Sequence, residues 1–120
     1  MTSLELAKAA AKILDGKKAK GIKVLEINKL STLGDYFVIA SGNSSTQVKS
    51  LADEVEFQLK QQYGIQPDRV EGHQNAQWIL MDYDEVMIHL FCGETRDFYN
   101  LERLWNDALP IDLSDVLTED

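Results

Sequence analysis

One cysteine, two prolines and no apolar run approaching the roughly 20 residues of a bilayer crossing set the first limits on this 120-residue chain. The lone Cys92 has no partner for an intrachain disulfide, which fits a reducing compartment. The lysine-containing N-terminus lacks the uninterrupted apolar block of a secretory signal. A cytoplasmic protein without membrane association is the expectation. Basic residues are also scarce: 12 Lys and Arg face 20 Asp and Glu, a formal net charge of −8. Proteins that grip nucleic acid on their own draw affinity from lysine and arginine at phosphates, so this balance argues against direct sequence-specific nucleic-acid binding.

The charge is unevenly spread. Residues 1–60 hold nine basic and seven acidic residues, a balance of +2, whereas residues 61–120 hold three basic and thirteen acidic, a balance of −10. The acidic half also contains the densest mixture of aromatic and apolar residues, Gln77 to Phe91 (QWILMDYDEVMIHLF), followed by ETRDFYNLERLW. Such a mixture is what a docking surface needs; the acidic balance on charge alone reads first as solubility, with attraction to a basic protein partner as the alternative. The basic run Lys17, Lys18, Lys20 reads most simply as a solvated loop.

Thr2 and Glu5 have capping-box spacing, and Leu6, Ala10, Ile13 and Leu14 repeat at helical intervals up to Gly16. Strands are expected from Ile22 to Asn28 and from Tyr36 to Ala40. Ser44 and Gln47 open a long helix with the apolar stripe Val48, Leu51, Ala52, Val55 and Leu59, ended by Gly64. Arg69–Glu71 reads as a short strand, and Trp78–Met81 with Val86–Phe91 as an antiparallel pair. A last helix carries Phe98, Leu101, Leu104 and Trp105 on one side and stops at Pro110. The order predicts one α/β domain with a mixed sheet flanked by helices, in which the second strand, long helix and third strand form a right-handed crossover. Residues 109–120 are expected to be a flexible acidic tail on a domain spanning 1–108.

Three kinds of chemistry are weighed against the sequence, and of these a metal-dependent nucleotidyltransferase using Ser44, Asp82 and Asp84 on a nucleotide is kept as an alternative, behind a binding role. His89 and Cys92 lie three apart in a strand, an odd spacing that points them to opposite faces and away from a nucleophile–base pair. Ser41–Ser45 before a helix, with Asp82 and Asp84 two apart, has the ingredients of metal-assisted nucleotidyl transfer. The gap from Gly42 to Asp82 contains a long helix and another strand, however, and no basic residue follows in the hairpin to hold a triphosphate. A metal site from His73, His89, Asp82 and Asp84 lacks any HxH, HxxxH or CxxC pairing. No catalytic residue, metal or cofactor is assigned. Trp78, Leu80 and Asp82 share one strand face and Met87, His89 and Phe91 share one face of the next; these are either an exposed patch or core, and His89 reads as half-buried or exposed.

DYFVIASGNSSTQVKSLADEV, RVEG, WILMDYDEVMIHLF and RDFYNLERLWNDA, in this order and spacing, together resemble the RsfS/iojap family of ribosomal silencing factors. The resemblance implies a nucleotidyltransferase-like α/β core without the catalytic motifs. It also implies a non-enzymatic factor that binds the large ribosomal subunit through its fourteenth protein, blocks joining of the small subunit and represses translation; large-subunit biogenesis is the related alternative. A homodimer is implied for the free protein. Carried over by position, the partner-binding residues are Trp78, Leu80, Met87, His89, Phe91, Glu94, Arg96, Asp97 and Tyr99. The chain departs from the family pattern at Asp84–Glu85, where a glycine–aspartate pair is usual, and at Gly93, where proline is frequent.

Overall fold

Local signals start both long helices. Thr2 Oγ1 accepts the Glu5 amide at 3.1 Å and Glu5 Oε1 accepts the Thr2 amide at 2.9 Å, a closed capping box. Held by the Thr2 backbone N–H, the Glu5 carboxyl stays below its ordinary pKa. Helix α1 runs Ser3–Gly16 and buries Leu6, Ala7, Ala10, Ala11, Ile13 and Leu14. Helix α2, Ser45–Tyr63, begins where Ser44 Oγ accepts the Gln47 amide at 3.1 Å, while Gln47 Oε1 reaches the Asn43 amide rather than that of Ser44. It ends at Gly64 in the left-handed region, φ 67°, where a side chain would be strained. Its buried stripe is Val48, Leu51, Ala52, Val55 and Leu59, as its spacing predicts.

The structure is a computed structural model and describes residues 1–27, 34–104 and 108–117, apart from the side chains of Phe98, Glu102 and Leu104. Its strands are β1 (Lys20–Glu26), β2 (Tyr36–Gly42), β3 (Arg69–Glu71), β4 (Trp78–Asp82), β5 (Val86–Cys92) and β6 (Leu109–Pro110), in one six-stranded sheet ordered β3-β4-β5-β2-β1-β6. Strands β2 and β5 pair in parallel from Tyr36↔Val86 to Gly42↔Cys92, and every other pairing is antiparallel. The expected crossover from the second strand to the third therefore runs instead to β5, while β3 pairs with β4 alone. The reason is burial. β5 is apolar on both sides and takes a central position, whereas Arg69 and Glu71 keep β3 at the edge.

Helices α1 and α2 cover one sheet face, with Val24, Val38, Ala40, Ile79, Ile88 and Leu90 beneath them. The opposite face holds a second apolar cluster of Leu25, Ile27, Phe37, Ile39, Phe91 and Ala108. The single last helix expected from the sequence is instead two short ones, α3 (Thr95–Tyr99) and α4 (Leu101–Leu104), separated by Asn100 at φ 48°. The Asn100 side chain accepts the Arg103 amide at 3.2 Å, local bonding that asparagine offers in place of a continuous helix. Leu101 packs on the second cluster; the predicted contributions of Phe98, Leu104 and Trp105, and of Asn28 to the first strand, lie outside the described residues.

Residues 109–117 are packed, where the sequence predicted a loose end. β6 pairs Leu25↔Pro110 and Glu26↔Leu109, the Ile111 amide donates to Val24 O at 2.9 Å, and Leu113 is buried with Val116 and Leu117 beside it. Lys8 and Asp115 form an ion pair at 3.1 Å. The apolar residues are few, but Ile111, Leu113, Val116 and Leu117 return to the face under α1, so their placement supplies what their number does not. Leu113→Ala should destabilise the fold by about 2 kcal/mol through lost burial and a residual cavity. Leu109→Ala, at a side chain 56% exposed, should cost far less in the same urea titration.

Candidate functional site

Strand parity places Trp78, Leu80 and Asp82 of β4 beside Phe91, His89 and Met87 of β5, register partners in that order. The sequence-predicted grouping therefore exists on the face away from α1 and α2. Its exposure differs from an open patch: Phe91 is fully buried and His89 is 6% exposed, while Trp78, Leu80 and Met87 are half-buried. The correction to His89 follows from its neighbours, since Leu80 and Ile39 flank it in register and Phe37 meets it edge-on at 4.6 Å.

Tyr99, from α3, completes the cluster. Its ring lies 4.6 Å from Trp78 and 6.5 Å from Phe91, and Trp78 stacks on Phe91 at 5.2 Å, so the three rings form a triangle. Tyr99 remains 46% exposed, and Glu94 and Asp97, in the same short segment of chain, are exposed carboxylates. Arg96 is half-buried and turned inward: Nη1 donates to Ser41 Oγ at 3.0 Å. This anchor depends on Gly21, which sequence reasoning missed; a Cβ there would stand 2.5 Å from Arg96 Nη1, and its φ is 57°. Thr95 Oγ1 to Gln77 Oε1 at 3.3 Å and the Cys92 amide to Gln77 O at 3.0 Å tie the start of α3 to the residue before Trp78.

Two departures from the family pattern now have geometry. Asp84 adopts φ 69° and its amide donates to Asp82 Oδ1 at 2.8 Å, an aspartate turn where glycine is otherwise suited. Gly93 has φ 53° and its amide donates to Gly42 O at 2.9 Å, a bond proline cannot make. The loop entering β4 is also constrained. Gly72, at φ 80°, would place a Cβ 2.2 Å from Trp78 O, and the buried Ala76 sits at φ 55° with its amide on Gly72 O at 2.9 Å. Trp78 is thus held at both its backbone and its ring.

The alternative chemistries are scattered in space. Asp82 Oδ2 lies 3.3 Å from Arg69 Nε, His73 Nε2 bonds Asp53 Oδ1 at 2.9 Å away from the cluster, and Cys92 packs with the α1/α2 side, opposite His89. Among the described residues no group of three or more His, Cys, Asp and Glu is placed to hold a metal ion, and no helix is long and apolar enough to cross a membrane.

The structure is a small α/β domain whose mixed sheet is covered by α1 and α2 on one face and carries a cluster of aromatic side chains on the other. The family model for "Ribosomal silencing factor during starvation" matches residues 1–120. The chain is 37% identical over 118 residues to the ribosomal silencing factor RsfS of Halalkalibacterium halodurans, covering 98% of this chain and 100% of that protein. It is 40% identical over 113 residues to the RsfS of Bacillus subtilis, covering 94% and 95%. A crystal structure of a Chromobacterium violaceum protein superposes with a TM-score of 0.84 at 36% identity, covering 88% of each chain. The chain belongs to the RsfS family of ribosomal silencing factors.

His89 also makes the fold sensitive to acid. Burial lowers its pKa from 6.5 to about 4, so the unfolded chain takes up a proton that the folded chain refuses over that interval. Stability should fall as pH drops from 6.5 towards 4, by about 3 kcal/mol at the lower limit. His89→Asn should remove that component from the pH profile of urea unfolding.

Proposed function

We propose that the protein silences translation by docking the Trp78 face on the large ribosomal subunit, through its fourteenth protein, and so obstructing the small subunit. The observation that carries the reading is the ring triangle of Trp78, Phe91 and Tyr99, with exposed Tyr99 on the short helix that also carries the exposed Asp97, and with exposed Glu94 just before it. Aromatic anchors beside a charged rim give affinity and orientation against a basic partner, and the −10 balance of residues 61–120 favours such a partner over RNA. The names of the relatives point to the same process.

The mechanism is steric occupancy and uses no bond-making step. Trp78, Leu80 and Met87 supply the half-buried apolar floor, Tyr99 the exposed ring, and Glu94 and Asp97 the charge matching. Phe91 and His89 support the floor from beneath, and Arg96 holds α3 against β2 through Ser41. In this reading the protein works in the cytoplasm, needs no cofactor, and is a homodimer when free.

Co-sedimentation with isolated large subunits, small subunits and whole ribosomes tests the proposal. Selective retention on large subunits and inhibition of subunit joining are expected, with Trp78→Ala weakening retention by about 2 kcal/mol, roughly 30-fold. Tyr99→Ala, at an exposed position, should weaken it without loss of folding. Failure to bind any particle would overturn the reading, and preferential capture of immature large subunits would move the role to assembly.

A further inference from the structure

We infer that His89 is a positioning residue for the docking surface: its neutral ring accepts the Trp78 indole N–H and sets the angle at which the indole is presented. This rests on the proposed ribosome-docking role of the Trp78 face and extends it to a side chain too buried to be a principal contact. Trp78 Nε1 donates to His89 Nδ1 at 3.1 Å. An indole nitrogen only donates, so Nδ1 carries no proton, and the ring's single proton sits on Nε2. That Nε2 is buried and has no hydrogen-bond partner among the described residues.

An unpartnered buried donor is a cost that leucine or phenylalanine would not incur at this core position. What histidine supplies, and an apolar side chain does not, is an acceptor aimed at the indole. Packing fixes the direction of that acceptor. Phe37 meets the imidazole at 4.6 Å and 65°, and Phe91 lies near-parallel to it at 6.5 Å and 12°. The held imidazole then orients Trp78, whose ring centroid is 5.9 Å away, against Phe91 and Tyr99. Without the acceptor, the half-buried indole regains rotamers that turn its N–H to water.

Burial keeps the ring neutral at physiological pH, with its pKa lowered to about 4. Among the described residues, the charged and titratable groups on this sheet face are Arg69 and Glu71 of β3, Asp82 of β4 and Lys20 and Lys23 of β1, with Arg96 and Tyr99 contributed by α3 and Glu94 and Asp97 carried by the same segment.

The test records indole N–H nuclear magnetic resonance spectra and large-subunit co-sedimentation for wild type, His89→Asn and His89→Leu, with Trp78→Phe identifying the Trp78 signal by its loss. Asparagine places an oxygen near the Nδ1 position; leucine fills the space without an acceptor. In His89→Leu the Trp78 signal should shift and exchange with water about tenfold faster, with subunit binding about tenfold weaker, whereas His89→Asn should stay within about threefold of wild type in both. A folded His89→Leu protein with an unmoved signal, or with a moved signal and unchanged binding, would overturn the inference. A second measurement needs no variant: the wild-type Trp78 signal should titrate with a midpoint near pH 4, and a signal flat through that range would count against it. If wild type binds no large subunit while the signal responds as described, the ribosome reading fails and the positioning role of His89 stands.

Discussion

The parallel pairing of β2 with β5 is the constraint on which the other elements depend. Seven consecutive registers, from Tyr36↔Val86 to Gly42↔Cys92, join two strands that are apolar on both sides and can be satisfied only at the centre of a sheet covered on both faces. A parallel pair requires a crossover, and α2 provides it, bringing Val48, Leu51 and Val55 onto one face. Once β5 is central, its alternation sends Ile88 and Leu90 beneath the long helices and His89 and Phe91 to the other side. The antiparallel return of β4 then leaves Trp78 opposite Phe91. A one-residue slip in either pairing would bury the charge of Asp82 and expel the aromatic face.

That second face is less completely covered than the first. α3 has only five residues, too few to hold a helix by its own hydrogen bonding, so its order comes from tertiary contacts: Tyr99 on Trp78, Arg96 on Ser41 and Thr95 on Gln77. The surface and the element that frames it are mutually dependent. A substitution within the ring triangle thus changes the support of α3 as well as the contact area, and a measured affinity loss contains both contributions.

Much of this was legible in the chain. The capping pair Thr2–Glu5, the α2 stripe and the period-two alternation of β4 and β5 are local signals, and each appears where its spacing puts it. Which strand β2 would choose was not legible, because short range gives the crossover's start and not its destination. The same limit hid the return of residues 109–117, whose sparse apolar residues gain meaning only when α1 and β1 are already beside them. At the site, parity correctly grouped Trp78, Leu80, Met87, His89 and Phe91 but not their depth, since Phe37 and Tyr99 arrive from distant parts of the chain. Gly21 had no distinguishing local signal, because its purpose is the room it leaves for Arg96.

The two margins of the sheet have a consequence for self-association. At one margin β3 is three residues long, with Arg69 and Glu71 at its ends; at the other β6 is two residues long and includes Pro110, which has no amide hydrogen to offer. Neither presents the run of free backbone donors and acceptors that strand-to-strand joining requires. Among the described residues these margins give a second copy little to extend as a continuous sheet, which would leave saturable side-chain surfaces for any contact between copies.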